Sequence, residues 1–378
     1  MSSERIMRVR RVALYSGGFI GPFAGGMTAS ILPELGASFG IGTDEAAFSL
    51  VAYLIPFAGL MLVSGRLGEH WGAKRSVTTA YAVFCAAALL CAFAPVWWVF
   101  LVGFMLCGIA NAFTTPLLLA SLGLSVPRER LGVALGLFGA MQSAGVLSAP
   151  LLSGIAATFD WRYAFGLVAV VSLLLAIISI PSGPRSEGPL RLRGLFVIPR
   201  AVWGYAIVFF VMGGGLAGLG FLVAVHAADA FGSSSSQRGI IVMCGGIAAL
   251  LVSALAGRAV DRLGERRVMI AGLVLGGLTV AALPLAPGAV VLALVWGLVM
   301  CWSQSVQIAV QKQVLNLRDA SGTISVVQAF RFFGAAAAPL LILPVYAHGP
   351  EWGFWLPGAA VLAVGIAVLC VPRRGSQR

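Results

Sequence analysis

One ionisable residue lies deep inside an apolar run of the sequence. Arg331 is about ten residues into the segment 321–346, which is roughly 15 Å along an α-helix. A guanidinium in such surroundings binds an anion or pairs with an acid, and Asp261 and Asp319 are candidate partners. A second interpretation is a structural or gating arginine that extends its charged end toward water. Either interpretation makes Arg331 a candidate functional residue.

Amide and aromatic side chains within other apolar runs complete the candidate binding residues. The full candidate set is Tyr53, Asn111, Gln142, Trp302, Gln304, Gln307 and Arg331. Gln304 and Gln307 are nearly one helical turn apart, so they project from the same helix face. Each amide could equally tie two helices together, and Tyr53 fits ordinary packing as well as a binding wall. Amides, aromatic rings and one arginine suit a small amphipathic molecule, neutral or weakly anionic.

Residue types needed for catalysis or metal binding do not come together in this sequence. The three histidines, at positions 70, 226 and 348, lack metal-ligand spacing. Within the apolar runs there is no histidine pair, no pair of carboxylates and no HExxH motif. All six cysteines fall inside apolar runs, where they are interpreted as small buried hydrophobic residues. We therefore predict no metal, no cofactor and no enzymatic activity, with an intramembrane enzyme as a remote alternative.

The candidate binding residues lie in sequence segments that are long and apolar. Hydrophobic residues make up 60% of the 378 residues and charged residues only 10%, against about 25% charged in soluble domains. Segments of about 20 apolar residues are long enough to cross a bilayer as helices. We predict twelve such spans, at about 12–33, 45–65, 76–94, 96–122, 132–157, 161–182, 201–226, 238–257, 267–287, 289–311, 321–346 and 352–371. The sequence therefore predicts an all-α membrane protein.

The net charge of +12 follows from where the basic residues lie. Arginines and lysines concentrate in alternate connections between spans, and the exceptions are Arg162, Arg238 and Arg331. Because basic loops stay on the inner side, we predict that both termini are cytoplasmic and that the chain lies in the cytoplasmic (inner) membrane. The charge then reflects topology, with membrane lipid as a partner and no role for nucleic acid.

The sequence repeats itself at about half its length. The segment Gly65-x-x-x-Glu69-x-x-Gly72-x-x-Arg75 recurs 192 residues later as Gly257-x-x-x-Asp261-x-x-Gly264-x-x-Arg267. Three shorter pairs repeat at similar offsets, namely Phe39-Gly40 with Phe231-Gly232, Asp160-Trp161 with Glu351-Trp352, and Arg128-Glu129 with Arg318-Asp319. Six spans per repeat give both halves the same orientation. We predict two six-helix bundles, residues 1–182 and 201–378, joined by a cytoplasmic linker at 183–200.

Both copies of the glycine and acid segment resemble the loop 2–3 signature of the major facilitator superfamily. The first glycine permits close helix contact, the second makes a turn, and the acid can pair with basic groups to hold one conformation. The resemblance implies the major facilitator fold, with twelve transmembrane helices in two pseudo-symmetric bundles and transport by alternating access. It also implies that spans 1, 4, 7 and 10 line the substrate path, which includes Asn111, Gln304 and Gln307.

The fifth span resembles the motif of drug:proton antiporters in that superfamily. It contains Gly136, Gly145, Ala149-Pro150 and Ser153-Gly154, with alanine and serine at two positions that are usually glycine. Small residues on one helix face permit tight packing against a neighbour, and Pro150 frees a backbone carbonyl. The following Asp160-Trp161-Arg162 is also typical of these exporters. We therefore predict that the helix face of span 5 that carries these small residues forms a gate.

The sequence departs from that group at the residues used for proton relay. Phe104 stands where the resembling exporters carry an arginine in span 4, and spans 1 and 4 contain no acid. The function implied is a monomeric secondary active transporter that moves a small amphipathic or hydrophobic molecule, with proton-linked export. Uptake or facilitated diffusion without protons is the alternative, because a facilitator needs no proton site.

Overall fold

The computed structural model describes residues 3–28, 31–46, 48–180, 200–233, 235–317 and 320–370. Throughout these ranges the chain is helical or in turns, with no strand. The predicted linker at 183–200 lies outside the described residues except for Arg200, and so do Arg318 and Asp319.

The helices of the N-terminal half are long and mostly separated by tight turns. They are α1 (Ser3–Met27), α2 (Leu32–Phe39), α3 (Thr43–Ala46), α4 (Phe48–Trp71), α5 (Ala73–Ala92), α6 (Trp97–Ser125), α7 (Leu131–Ala157) and α8 (Arg162–Ile178). The first predicted span, 12–33, is wrong at its end, because α1 stops at Met27 and a separate helix begins at Leu32. Pro33, at the start of α2, suits the first turn of a new helix.

The helices of the C-terminal half repeat this arrangement, with one interruption. They are α9 (Arg200–Gly215), α10 (Gly220–Phe231), α11 (Ser235–Leu263), α12 (Glu265–Ala282), α13 (Ala289–Leu315), α14 (Ala320–His348) and α15 (Pro350–Cys370). The predicted span 201–226 is therefore not one continuous helix. It breaks after the run Gly213-Gly214-Gly215 into a short 3-10 turn, since glycine is a weak helix former.

The described helices are long and apolar enough for a multi-pass membrane protein. Ten helical segments meet the length and hydropathy expected of a span, with α9 and α10 counted together, and α8 is a shorter apolar helix of 17 residues. α1 is the remaining helix of the predicted twelve. Large apolar side chains such as Ile55, Leu251 and Leu340 are exposed on the helix surfaces. Exposed apolar surface on this scale suits contact with lipid.

The contacts between Cα atoms divide the chain into two compact units. The first unit comprises Met1–Pro199 and Val314–Ala329, and the second comprises Arg200–Gln313 and Phe330–Arg378. In the first unit α1 packs on α7, and α6 packs on both α4 and α5. In the second unit α15 packs on both α9 and α12. The division into bundles at 1–182 and 201–378 stays a prediction.

The backbone repeats the duplication that the sequence indicates. Four glycines have a positive φ among the described residues, and they form two pairs 192 residues apart. Gly40 and Gly232 end α2 and α10 in the left-handed conformation, with φ of 67° and 59°. Gly72 and Gly264 precede α5 and α12, with φ of 88° and 87°. A side chain with a Cβ is disfavoured at such angles, so the repeated glycines have a shared structural reason.

Candidate functional site

Arg331 is held beside a buried glutamine of the second unit. Its Nη1 atom donates a hydrogen bond to Oε1 of Gln307, so α14 and α13 are joined at this point. α9 approaches α14 closely here, because a Cβ at Gly213 would overlap the carbonyl oxygen of Arg331. The predicted pairing of Arg331 with Asp261 is not observed, since the guanidinium bonds to an amide and, among the described residues, to no carboxylate. The alternative partner, Asp319, lies outside the described residues.

The glutamines of α13 extend this polar face. Gln304, Gln307 and Gln311 follow a spacing of three and four residues, which places them on one side of the helix. All three are buried, and the Nε2 atoms of Gln304 and Gln311 have no hydrogen-bond partner within the described part of the chain. Buried amides are usually satisfied, so these donors are available to a ligand or to water. Gln311 was missed because it lies at the very end of the predicted span 289–311.

Asp261 of the second loop signature forms a buried ion pair. The Nζ atom of Lys312 lies 2.8 Å from Oδ1 of Asp261, and the two side chains are only 9% and 8% exposed. This pair connects the C-terminal ends of α11 and α13. One signal for it lies in the sequence, because Asp261 follows the predicted span 238–257 and Lys312 follows the predicted span 289–311. A gating role for Asp261 stays a prediction.

In the first unit, Tyr53 and Asn111 belong to a chain of hydrogen bonds that joins three helices. The Tyr53 hydroxyl donates to the carbonyl oxygen of Gly21 on α1 at 3.0 Å and accepts from Nδ2 of Asn111 on α6 at 2.9 Å. Thr114 donates to Oδ1 of Asn111 at 2.9 Å. The polar atoms of both predicted binding residues are thus engaged inside the unit. A role in ligand contact stays a prediction for them.

The last two predicted binding residues lie on different helices and in different units. Gln142 is half-buried in the middle of α7, and Trp302 is half-buried on α13. The backbone and Cβ of Trp302 lie where α12 passes at Gly272 and Gly276. Trp302 is two residues before Gln304, so the two side chains lie on roughly opposite sides of α13. In the second unit the contact between predicted residues is that of Arg331 with Gln307, and Gln304 lies on the same helix face as Gln307.

The two loop signatures have similar local structures. Gly65 and Gly257 are buried, Glu69 is half-buried, and both Arg75 and Arg267 are exposed. Arg75 lines a cavity of about 410 Å³ together with Trp71 and Phe113, whose rings stack. Across the described ranges no cluster of three His, Cys, Asp or Glu side chains could hold a metal ion.

The antiporter-like motif of α7 makes one very close helix contact. A Cβ at Gly145 would overlap the carbonyl oxygen of Phe19, so the backbones of α7 and α1 touch there. Gly154 has open space where its Cβ would stand, and Pro150 is exposed within a continuous helix. The predicted tight packing is therefore centred on Gly145 and does not extend to Gly154.

Phe104, which replaces the arginine of the resembling exporters, lies in an aromatic cluster. Its ring is fully buried, 5.0 Å from the ring of Tyr53 and 5.9 Å from those of Phe100 and Phe165. Trp161 joins the cluster and donates a hydrogen bond from Nε1 to Ser38 at 2.8 Å. The Asp160-Trp161-Arg162 segment thus anchors α8 to this cluster, and nothing charged occupies position 104.

These features define a multi-pass transporter, and the comparison with known proteins gives the family. The family model of the Major Facilitator Superfamily matches residues 14–226 and 205–378, and the chain belongs to this family. Members of this kind are transporters and not enzymes.

Named relatives and solved structures are consistent with that assignment. The MFS-type transporter YceJ of Bacillus subtilis is 26% identical over 270 residues, which is 69% of each chain. The efflux pump terJ of Aspergillus terreus is 33% identical over 174 residues, covering 44% of this chain and 33% of the relative. The human organic anion transporter MFSD10 superposes with a TM-score of 0.82 at 16% identity, covering 96% of this chain and 99% of that one. The proton:xylose symporter XylE superposes with a TM-score of 0.77 at 14% identity, covering 98% of this chain and 97% of the other. These two structural likenesses show the fold.

Proposed function

We propose that this protein exports a small amphipathic molecule, neutral or weakly anionic, in exchange for protons. Family membership, the antiporter-like motif around Gly145 and the similarity to an efflux pump support export. The mechanism is alternating access between conformations that open to one side and then to the other. The protein acts as a monomer in the cytoplasmic membrane with both termini inside. Its two halves, 1–182 and 201–378, are joined by the linker 183–200.

One observation carries the substrate assignment. Arg331 is a cation within a membrane span, and it bonds to the neutral amide of Gln307 and not to a described carboxylate. An arginine without an acid keeps donors and a full charge for an anionic group of a ligand. The unpartnered Nε2 atoms of Gln304 and Gln311 lie on the same helix as Gln307 and add donors. A weakly acidic, partly apolar molecule matches this set better than a cation does.

A facilitator without proton coupling is the second candidate. The observation in its favour is Phe104, which places an aromatic cluster where related exporters carry a relay arginine. A facilitator would move the same class of molecule down its gradient and would leave the proton gradient unchanged.

The test uses purified protein in liposomes with a pH-sensitive dye inside and a panel of lipophilic cations, neutral drugs and aromatic acids. We expect an imposed proton gradient to drive movement of the acids or of neutral compounds. Arg331→Gln should lower aromatic-acid flux by roughly 10–100-fold, since a hydrogen bond to a charged group contributes about 1.5–3 kcal/mol. The exposed Arg258→Gln on α11 is the matched control and should transport normally.

Each other outcome changes a specific part of the proposal. Flux without proton movement would make the protein a facilitator. Transport of cations alone would contradict the substrate class, and an equal loss of all substrates in Arg331→Gln would make the arginine a gating residue. No flux of any compound would contradict the proposed export.

A further inference from the structure

In the second unit, a buried histidine is connected through a tyrosine to an exposed carboxylate. His226 on α10 is 5% exposed, and its Nδ1 atom lies 3.3 Å from the hydroxyl of Tyr346 on α14. The Tyr346 hydroxyl donates to Oδ2 of Asp229 at 3.0 Å. Asp229 is exposed, so the chain runs from solvent through a carboxylate and a phenol to a buried imidazole.

We infer that Asp229, Tyr346 and His226 form the relay that loads the coupling proton, with His226 as the proton-binding residue. The inference rests on the proposed export function. It assigns a proton site elsewhere, because span 4 has Phe104 where the resembling exporters carry the relay arginine. The imidazole starts as its Nε2–H tautomer, with Nδ1 free to accept a proton. When a proton from water binds the Asp229 carboxylate, the carboxyl group donates it to the Tyr346 hydroxyl, which turns and gives its own proton to Nδ1 of His226. The neutral imidazole becomes an imidazolium, and release reverses the same steps. Histidine suits the task because its charge changes between about pH 5 and 8.

The surroundings of the ring explain how a proton there could change the conformation. The rings of Phe354, Phe231 and Tyr346 stand edge-on to His226, with centroids 5.3, 6.0 and 6.3 Å away. A charge appearing among aromatic side chains must be compensated by nearby groups. His226 lies on α10, just beyond the break between α9 and α10, and Tyr346 lies on the helix that carries Arg331. Proton binding can therefore bias the broken helix and the candidate substrate helix together.

The helices around the relay, α10, α11, α14 and α15, carry four residues whose charge or protonation must be considered. Asp229 and Glu351 are the residues whose charges act on the imidazole, from α10 and α15. On α14, His348 is exposed and its Nδ1 atom contacts the carbonyl oxygen of Pro344, which places it outside the relay. From α11, which packs on α10, Arg238 is the charged residue closest in sequence to this end. By the predicted topology this end faces the outside, where an imported proton would enter.

The first test separates coupling from transport in proteoliposomes. A compound that the wild type transports is followed in two assays, equilibrium exchange and accumulation driven by a gradient of about one pH unit, which supports about tenfold accumulation per proton. His226→Gln and Tyr346→Phe should keep exchange and lose accumulation. His348→Gln, the same substitution at an exposed histidine of the same end, should keep both.

The results distinguish failure of the relay from failure of the proposed function. Accumulation retained in His226→Gln would overturn the relay while export stands. Loss of exchange together with accumulation in a folded His226→Gln protein would assign the residue to packing or to the substrate path, and would also overturn it. A wild type that exchanges but never accumulates would be a facilitator without a relay.

A second measurement needs no substrate. The chain has only three histidines, so ¹⁵N spectra of histidine-labelled protein in detergent can be assigned with His70→Gln and His348→Gln. We expect the His226 ring to change protonation state between about pH 5 and 8. Asp229→Asn should alter that transition, because it removes the carboxylate from the chain. A His226 ring that stays in one state across this range overturns the inference even if no transported compound is found.

Discussion

At the scale of single residues, the charged side chains differ in how their charge is compensated and how far water reaches them. Asp261 and Lys312 satisfy each other in a buried setting, whereas Asp160 and Arg162 form an ion pair with 36–41% exposure. Water screens the second pair but not the first. Arg331 differs from both, because an amide is its hydrogen-bond acceptor. The residues most sensitive to substitution are therefore the buried charges.

Lys312→Met should destabilise the protein strongly, because it removes the cation that lies 2.8 Å from the buried Asp261 carboxylate. Removing one partner of a buried pair costs about 3–5 kcal/mol, whereas the double variant Asp261→Asn/Lys312→Met should recover much of this loss. Thermal unfolding in detergent measures both effects. Asp160→Asn is the control for an exposed pair and should change stability by less than about 1 kcal/mol. Additive losses in the double variant would show that the pair is not coupled.

At the scale of helices, close contacts depend on glycines that face a neighbouring backbone. Gly145 lets α7 touch α1, and Gly213 lets α9 touch α14 at Arg331. α9 ends at Gly215, only two residues after the contact of Gly213 with α14, so the helix break lies next to this contact. Helix pairs in membranes associate largely through such packing, because lipid tails give little hydrophobic drive. These contacts limit how far α7 can move against α1 and how far α9 can move against α14.

Gly145→Val should force α7 away from α1, because no flexible side chain can yield at the carbonyl oxygen of Phe19. We expect a loss of about 1–3 kcal/mol in stability, as for other overpacked sites, and a lower transport rate. Gly154→Val on the same helix has open space around its Cβ and should behave as wild type. Melting temperature and flux are measured for both variants. Equal effects of the two substitutions would mean that the motif acts through helix propensity.

At the scale of the whole molecule, the distribution of basic residues predicts how the chain is oriented in the membrane. Arginines and lysines collect at one end of the spans, and the candidate relay of His226 lies at the other. Positive loops remain on the cytoplasmic side during insertion. The relay and the loop signatures should therefore meet different aqueous compartments.

Cysteine labelling tests this orientation. All six native cysteines are free and can be replaced before single cysteines are introduced at Asp229 and Arg258, both of them exposed. A membrane-impermeant maleimide should label the Asp229→Cys protein in intact cells and the Arg258→Cys protein only after permeabilisation. The opposite pattern would reverse the topology and would place the relay inside the cell.

Local sequence was enough to predict the membrane class, most span positions, the duplication and the family resemblance. Apolar length, basic loops and repeated glycines are properties of local sequence, and lipid selects for them directly. The turns at Gly72 and Gly264 could also be predicted locally, because glycine is the residue that most readily adopts the positive φ found there.

Which side chains meet could not be predicted from the sequence, because the partners lie on different helices. The partners Lys312 and Asp261 are 51 residues apart, and His226 and Tyr346 are 120 apart, so no local pattern could join them. In the structure Tyr53 and Asn111 are hydrogen-bonded to each other, whereas the Nε2 atoms of Gln304 and Gln311 have no hydrogen-bond partner among the described residues. Hydrogen bonds and ion pairs depend on distances of a few ångströms between helices, which hydropathy and spacing along one helix do not specify.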